Sequence, residues 1–171
     1  MKTEILDKIE SLFFEDAFMD VSMDDVAKNL NMKKASLYYH FASKEQMFID
    51  ILNYSFGKYI KYLNKTFLCD DINLIISGLV SFPIESKNLF SVVSQKGYCK
   101  IGIVRDLIVE KNKELLNVFH TYFKEKHNFT NEKTIIFQGI INDLSKKYCI
   151  FDCKETLDIN KLIPEIQKTF F

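Results

Sequence analysis

Hydrophobic residues recur along nearly the whole chain at the spacing of helices rather than the strict alternation of strands. Ile5, Ile9, Leu12 and Phe13 follow i, i+4, i+7, i+8 and predict a first helix ending near Asp16. Phe18 and Val21 lead to Ser22, and Ser22-x-x-Asp25 has the form of a capping box, with Asp where Glu or Gln is usual. Val26, Ala27 and Leu30 are the inward positions of the short helix that begins there. Asn31 tolerates a left-handed backbone and so predicts a tight turn. A third helix is expected from Lys33 to Phe41, with Leu37 and Phe41 inward. Ser43 then caps a long fourth helix reaching about Phe67. Further on, Ile72–Phe82, Ser86–Lys96, Gly102–Lys126, Asn131–Ile150 and Ile159–Phe170 read as helices, punctuated by Pro83, Gly97 and Lys154–Asp158. The expected fold class is all-α, with about nine helices.

Two short helices joined by a turn of about four residues, braced by a preceding helix, make a helix-turn-helix. Its second short helix is the candidate reader of a DNA major groove. The overall charge does not announce this, because the 23 basic and 23 acidic residues cancel. The local pattern does. Residues 1–25 carry Glu4, Asp7, Glu10, Glu15, Asp16, Asp20, Asp24 and Asp25 against Lys2 and Lys8. From Val26 to Lys44 there is no acid, while Lys28, Lys33, Lys34 and Lys44 all fall there, a stretch that would attract phosphate. With Leu37 inward, Ala35 and Tyr39 point away from the core, flanked by Ser36 and Tyr38. Outward tyrosines are costly to leave in water, yet suited to phosphate and base-edge contact.

Residues about 9–56 resemble the N-terminal domain of the TetR family of transcriptional repressors. Leu37-Tyr38-Tyr39-His40-Phe41-Ala42-Ser43-Lys44-Glu45 is similar to that family's Leu-Tyr-x-x-Phe-x-x-Lys-Glu segment, and Leu12-Phe13, Phe18 and Val26-Ala27 match its upstream core. Ala17, Asn31 and Ala35 stand where the family usually has glycine, and Lys33 where a Ser often caps the reading helix. The resemblance implies that Lys34, Ala35, Ser36 and Tyr39 meet base edges, with Lys33 at the groove entrance. It implies that Ser22, Tyr38, His40 and Lys44 hold phosphates. Tyr38 and His40 also have packing roles open to them. The implied organisation is a DNA-binding domain over residues 1–45 and an effector-binding, dimerising helical bundle over 46–171.

In the second half, Ile136, Phe137, Ile140, Ile141, Leu144 and Tyr148 span an arc of roughly 140°, wider than the ~100° stripe that one core face needs. Leu162, Ile163, Ile166 and Phe170 form a second apolar seam. A symmetric interface formed by Ile136, Ile140, Leu144, Leu162, Ile163 and Ile166 would bury this surplus. Phe56, Tyr59, Tyr62, Phe82, Phe90, Tyr98, Phe119, Tyr122 and Phe123 are candidates to line a pocket for a small apolar or aromatic effector. Core filling is the alternative for them. Arg105, beside Glu110, reads as a surface ion pair or an anion anchor.

No cofactor or metal is expected. Cys149 and Cys153, one helical turn apart, have no third ligand nearby, and Cys69 and Cys99 are isolated. No motif has catalytic spacing, so an enzyme ranks last. The longest apolar stretch is interrupted and too short for a membrane span, and no signal peptide is evident, which fits a cytoplasmic protein. The expected function is a sequence-specific, ligand-responsive repressor that binds a palindromic operator as a homodimer. The alternative is a helical interaction protein that keeps the fold without operator binding.

Overall fold

In a computed structural model, residues 2–15, 20–85, 102–149 and 158–171 are described, and among them lie nine helices and no strand. These are α1 (Lys2–Ile9), α2 (Leu12–Glu15), α3 (Met23–Asn29), α4 (Lys34–His40), α5 (Lys44–Thr66), α6 (Ile72–Glu85), α7 (Gly102–His127), α8 (Asn131–Cys149) and α9 (Ile159–Phe170). The all-α expectation holds. Phe18, Gly97, Cys99, Cys153 and the helix expected over Ser86–Lys96 lie outside the described residues, as do the pocket candidates Phe90 and Tyr98.

Two boundaries differ from the sequence reading. The first helix does not run unbroken to Asp16: a turn at Glu10-Ser11 separates α1 from α2. Glu10 is buried there, its carboxylate taking hydrogen bonds from Ser55 Oγ and Lys58 Nζ on α5. The second difference is that α6 continues through Pro83 to Glu85 instead of stopping before it. Proline lacks the N–H that would bond the carbonyl four residues back, which here is that of Leu79. That carbonyl instead accepts a hydrogen bond from the buried Ser145 Oγ of α8 at 3.4 Å.

The chain divides into two compact units. The described residues up to Lys58, together with 102–108, form the first, and Tyr59–Glu85 with 109–149 and 158–171 form the second. The first unit has a core of Ile9, Phe13, Val26, Leu37, Phe41, Phe48, Ile51 and Leu52, with the rings of Phe13 and Phe48 5.7 Å apart. Val104 is wholly buried in that same core, with Leu107 and Ile108 packed against it. The second unit packs α6 along α8 and against α9. Near the end of α7, Phe123 lies among Phe119 of the same helix, Phe129 in the loop that follows and Phe137 on α8, in an aromatic cluster.

Local chemistry sets the start and stop of α3. Ser22 is extended, its Oγ accepts from the Asp25 amide at 3.2 Å, and the Asp25 carboxylate accepts from the Ser22 amide at 2.8 Å. The capping box is therefore complete with an aspartate. At the other end, Met32 N–H donates to Ala27 O (2.9 Å) and Asn31 N–H to Lys28 O (3.1 Å), with Asn31 at φ 51°. This is a Schellman stop built on asparagine instead of glycine. Replacing Ser22 with alanine is expected to cost about 1 kcal/mol of stability. A urea-unfolding midpoint that does not move would contradict the assignment of this cap.

Candidate nucleic-acid interface

The turn after α3 sends the chain into α4, and the two short helices pack on each other. Leu37 anchors α4, being wholly buried, and Phe41 follows it inward at the C-cap. An inward residue at position 37 leaves positions 35 and 39 on the opposite side of a helix. Ala35 is exposed, and Tyr39 is 85% exposed, unusually high for so large an aromatic ring. Tyr38 stands at 49%, so it is not a core residue, and Ser36 is half-buried. His40 is half-buried and meets the Tyr39 ring edge-on, with centroids 5.2 Å apart.

Lys33 and Lys34 are both exposed at the start of α4, where Lys33 is an extended N-cap with no side-chain capping bond. Lys34 Nζ lies 2.7 Å from Asp24 Oδ2, reaching back across the turn to the first turn of α3. The hydrogen bond to Asp24 holds the Lys34 ammonium pKa above the usual lysine value. Asp25 is committed differently: its carboxylate also accepts from Ser22 Oγ at 2.5 Å, and its pKa is lowered by these side-chain and backbone bonds from Ser22. The Ser22 hydroxyl is thus engaged inside the cap. Lys44, half-buried, donates from Nζ to the Val21 carbonyl at 2.9 Å, tying the start of α5 to the strand of chain that enters α3. Ser43 caps α5 as expected, accepting from the Gln46 amide at 3.1 Å.

All nine residues singled out for DNA contact therefore lie on or beside α3, the turn and α4, or at the start of α5. Sequence reasoning missed the role of Asp24. A pairing between residues ten apart, across a turn, leaves no periodic signal; only the charge at position 24 was visible. Val104 was missed too, since nothing local ties residue 104 to a helix-turn-helix core.

The remaining candidates are dispersed. Phe56 is buried in the first unit. In the second, Phe82 packs against Tyr59 (centroids 4.5 Å) and Tyr62 (4.4 Å), and the Tyr62 hydroxyl donates to the Gly78 carbonyl. Burial raises the Tyr59 pKa well above the ordinary phenol value. Phe67 stacks on Tyr122 at 4.2 Å, and Phe119 and Phe123 pack as neighbours. These rings fill space against one another. A groove of about 300 Å³ in the second unit is lined instead by Leu116, Asn117, His120, Asn131 and Ile135. Of the interface candidates, Ile136 and Ile140 are 57% and 36% exposed on α8, and Leu144, Leu162 and Ile163 are half-buried. Ile166 is buried in the chain's own core. Arg105 is exposed and pairs with its neighbour Asp106 at 3.1 Å rather than with Glu110.

Among the described residues no group of three or more His, Cys, Asp or Glu side chains could hold a metal ion, and no helix is long and apolar enough to cross a membrane. Cys69 is a free thiol, whereas the side chain of Cys149 lies outside the described residues.

Residues 5–51 match the sequence profile of the bacterial regulatory proteins of the tetR family. The chain is 37% identical over 82 residues to the biofilm operon negative transcriptional regulator IcaR of Staphylococcus epidermidis, covering 48% of this chain and 43% of that regulator. With IcaR of Staphylococcus aureus strain Newman it shares 37% over 87 residues, covering 50% and 45%. The chain thus spans less than half the length of these curated relatives. The fold is similar over almost the full length to a transcriptional regulator of Aquifex aeolicus (TM-score 0.77, 20% identity, covering 99% of this chain and 97% of that one). It is also similar to FadR of Bacillus subtilis, solved in complex with stearoyl-CoA (TM-score 0.74, 18% identity, covering 98% and 96%). Over residues 5–51, which hold the helix-turn-helix, the chain is therefore similar to the tetR family of bacterial regulatory proteins.

Proposed function

We propose that this regulator is a repressor that binds a palindromic operator as a homodimer through α4 and releases it on binding a small apolar effector. The observation that carries the DNA-binding part is the exposure of Tyr39 and Ala35 on a short helix anchored by the buried Leu37, within the segment shared with tetR proteins. In such a dimer two reading helices about 34 Å apart occupy successive major grooves. Phosphates would be met by Lys33, Tyr38 and His40, and base edges by Lys34, Ala35, Ser36 and Tyr39. Ser22 and Lys44 act mainly by fixing α3 and α5 in place, since both side chains are already hydrogen-bonded within the chain.

The test is selection of duplexes from a random-sequence library by the full chain. The expected product is an inverted repeat whose half-sites are centred about one helical turn apart. Recovery of no enriched sequence would support the second reading, a helical interaction protein. The feature favouring that reading is the Asp24–Lys34 pair, which partly neutralises the reading face.

Dimerisation in this proposal uses α8, where Ile136 and Ile140 expose apolar surface beside Gly139, and a Cβ built on Gly139 would meet nothing within 4 Å. Ile136→Glu and Ile140→Glu are expected to give folded monomers by sedimentation, because neither side chain is needed in the chain's own core. Retention of the dimer by both would remove α8 from the interface. The effector rests on the aromatic-rich second unit and on the stearoyl-CoA complex of a protein of similar fold. A fall in affinity for the selected duplex on adding a long-chain acyl-CoA would support it. The place of work is the cytoplasm, where such DNA is found.

A further inference from the structure

Two acids open α3, and they have different partners. Asp25 is closed into the cap with Ser22, whereas Asp24 faces the reading helix and holds Lys34 Nζ at 2.7 Å. The Asp24 side chain is 70% exposed and that of Lys34 46%, so the pair sits at the rim where DNA would approach, not beneath it. A carboxylate in that position offers Lys34 what a phosphate or a guanine edge would offer it: an anionic or strongly accepting oxygen. It also places a negative charge where the backbone of any duplex would come close.

We propose that Asp24 is a specificity-determining residue: it acts as a built-in competitor for Lys34, so that this lysine counts toward binding only where the duplex supplies a better acceptor than a carboxylate. The inference rests on the DNA-binding reading above. Its physical logic is a difference of affinities. Holding Lys34 in an ion pair lowers attraction to every sequence, because the pair is neutral and releases no counterion of its own. At the right site the lysine leaves Asp24 for a base edge and recovers the loss; elsewhere it does not. Specificity gained by weakening the wrong complexes needs such an internal penalty.

The experiment compares wild type, Asp24→Asn, Lys34→Ala and the double variant of the full chain. Each is titrated by fluorescence anisotropy, at several salt concentrations, against the selected duplex and a scrambled duplex of equal length. Asp24→Asn is expected to bind the scrambled duplex about three- to tenfold more tightly, from the modest strength of an exposed pair counted over two reading helices. Its log-affinity should fall more steeply with log salt, by about one for each reading helix. Affinity for the selected duplex should change less, so the ratio between the two falls. In the Lys34→Ala background the same substitution should lose most of its effect. Equal gains with and without Lys34 would reduce Asp24 to a general charge and overturn the proposal. So would an Asp24→Asn variant with an unchanged ratio. If wild type binds neither duplex, the DNA-binding reading itself fails, and the proposal with it.

Discussion

Truncation of Tyr39 to alanine is expected to weaken binding to the selected duplex by about 1–3 kcal/mol for each reading helix, with the salt dependence unchanged. Tyr39 is the most exposed aromatic side chain described, so its removal leaves no cavity and should not alter stability. Lys34→Ala should give a loss of similar size but with a shallower salt dependence, since it removes a positive charge and leaves Asp24 unpaired. The two variants together separate base reading from charge. Binding unaffected by both, in protein that melts at the wild-type temperature, would contradict the assignment of α4 as the reader.

A second large effect is expected far from that surface. Phe123 is wholly buried, with ring centroids of Phe137 at 4.8 Å, Phe129 at 5.1 Å and Phe119 at 6.0 Å. Phe123→Ala removes the centre of this cluster and should cost about 3–5 kcal/mol in urea unfolding, the transfer of the ring plus the cavity it leaves. If Phe123 instead bordered a pocket that an effector fills, the unliganded chain would lose much less. A change under about 1 kcal/mol would therefore contradict the packing described and favour a pocket lining for this residue.

Short-range chemistry was legible in the sequence. The Ser22-Asp25 box, the left-handed Asn31 and the Ser43 cap each depend on residues within a few positions, and each is present. The inward Leu37 and outward Tyr39 follow from helical geometry alone. What the sequence hid were contacts across space. The stretch from Val26 to Lys44 lacks acids in the chain but not around it, because α3 turns Asp24 back onto Lys34. Glu10 stands in the sequence only as one of the acids of residues 1–25, yet it is buried against Ser55 and Lys58, forty-five and forty-eight residues away. Pro83 reads as a stop because its missing bond is local, while the compensation, Ser145 on the Leu79 carbonyl, comes from another helix. The aromatic residues offered for a pocket could not be told from core aromatics, since spacing along a helix does not say whether facing rings touch.

The most direct measurement is a titration of the 15N-labelled chain with the selected duplex, followed through backbone amide resonances. The signals of Lys34, Ala35, Ser36 and Tyr39 should shift most and saturate at two chains per duplex, with those of α8 moving little. Those four signals standing still while others respond would show that the nucleic acid, if held at all, is held by some other face.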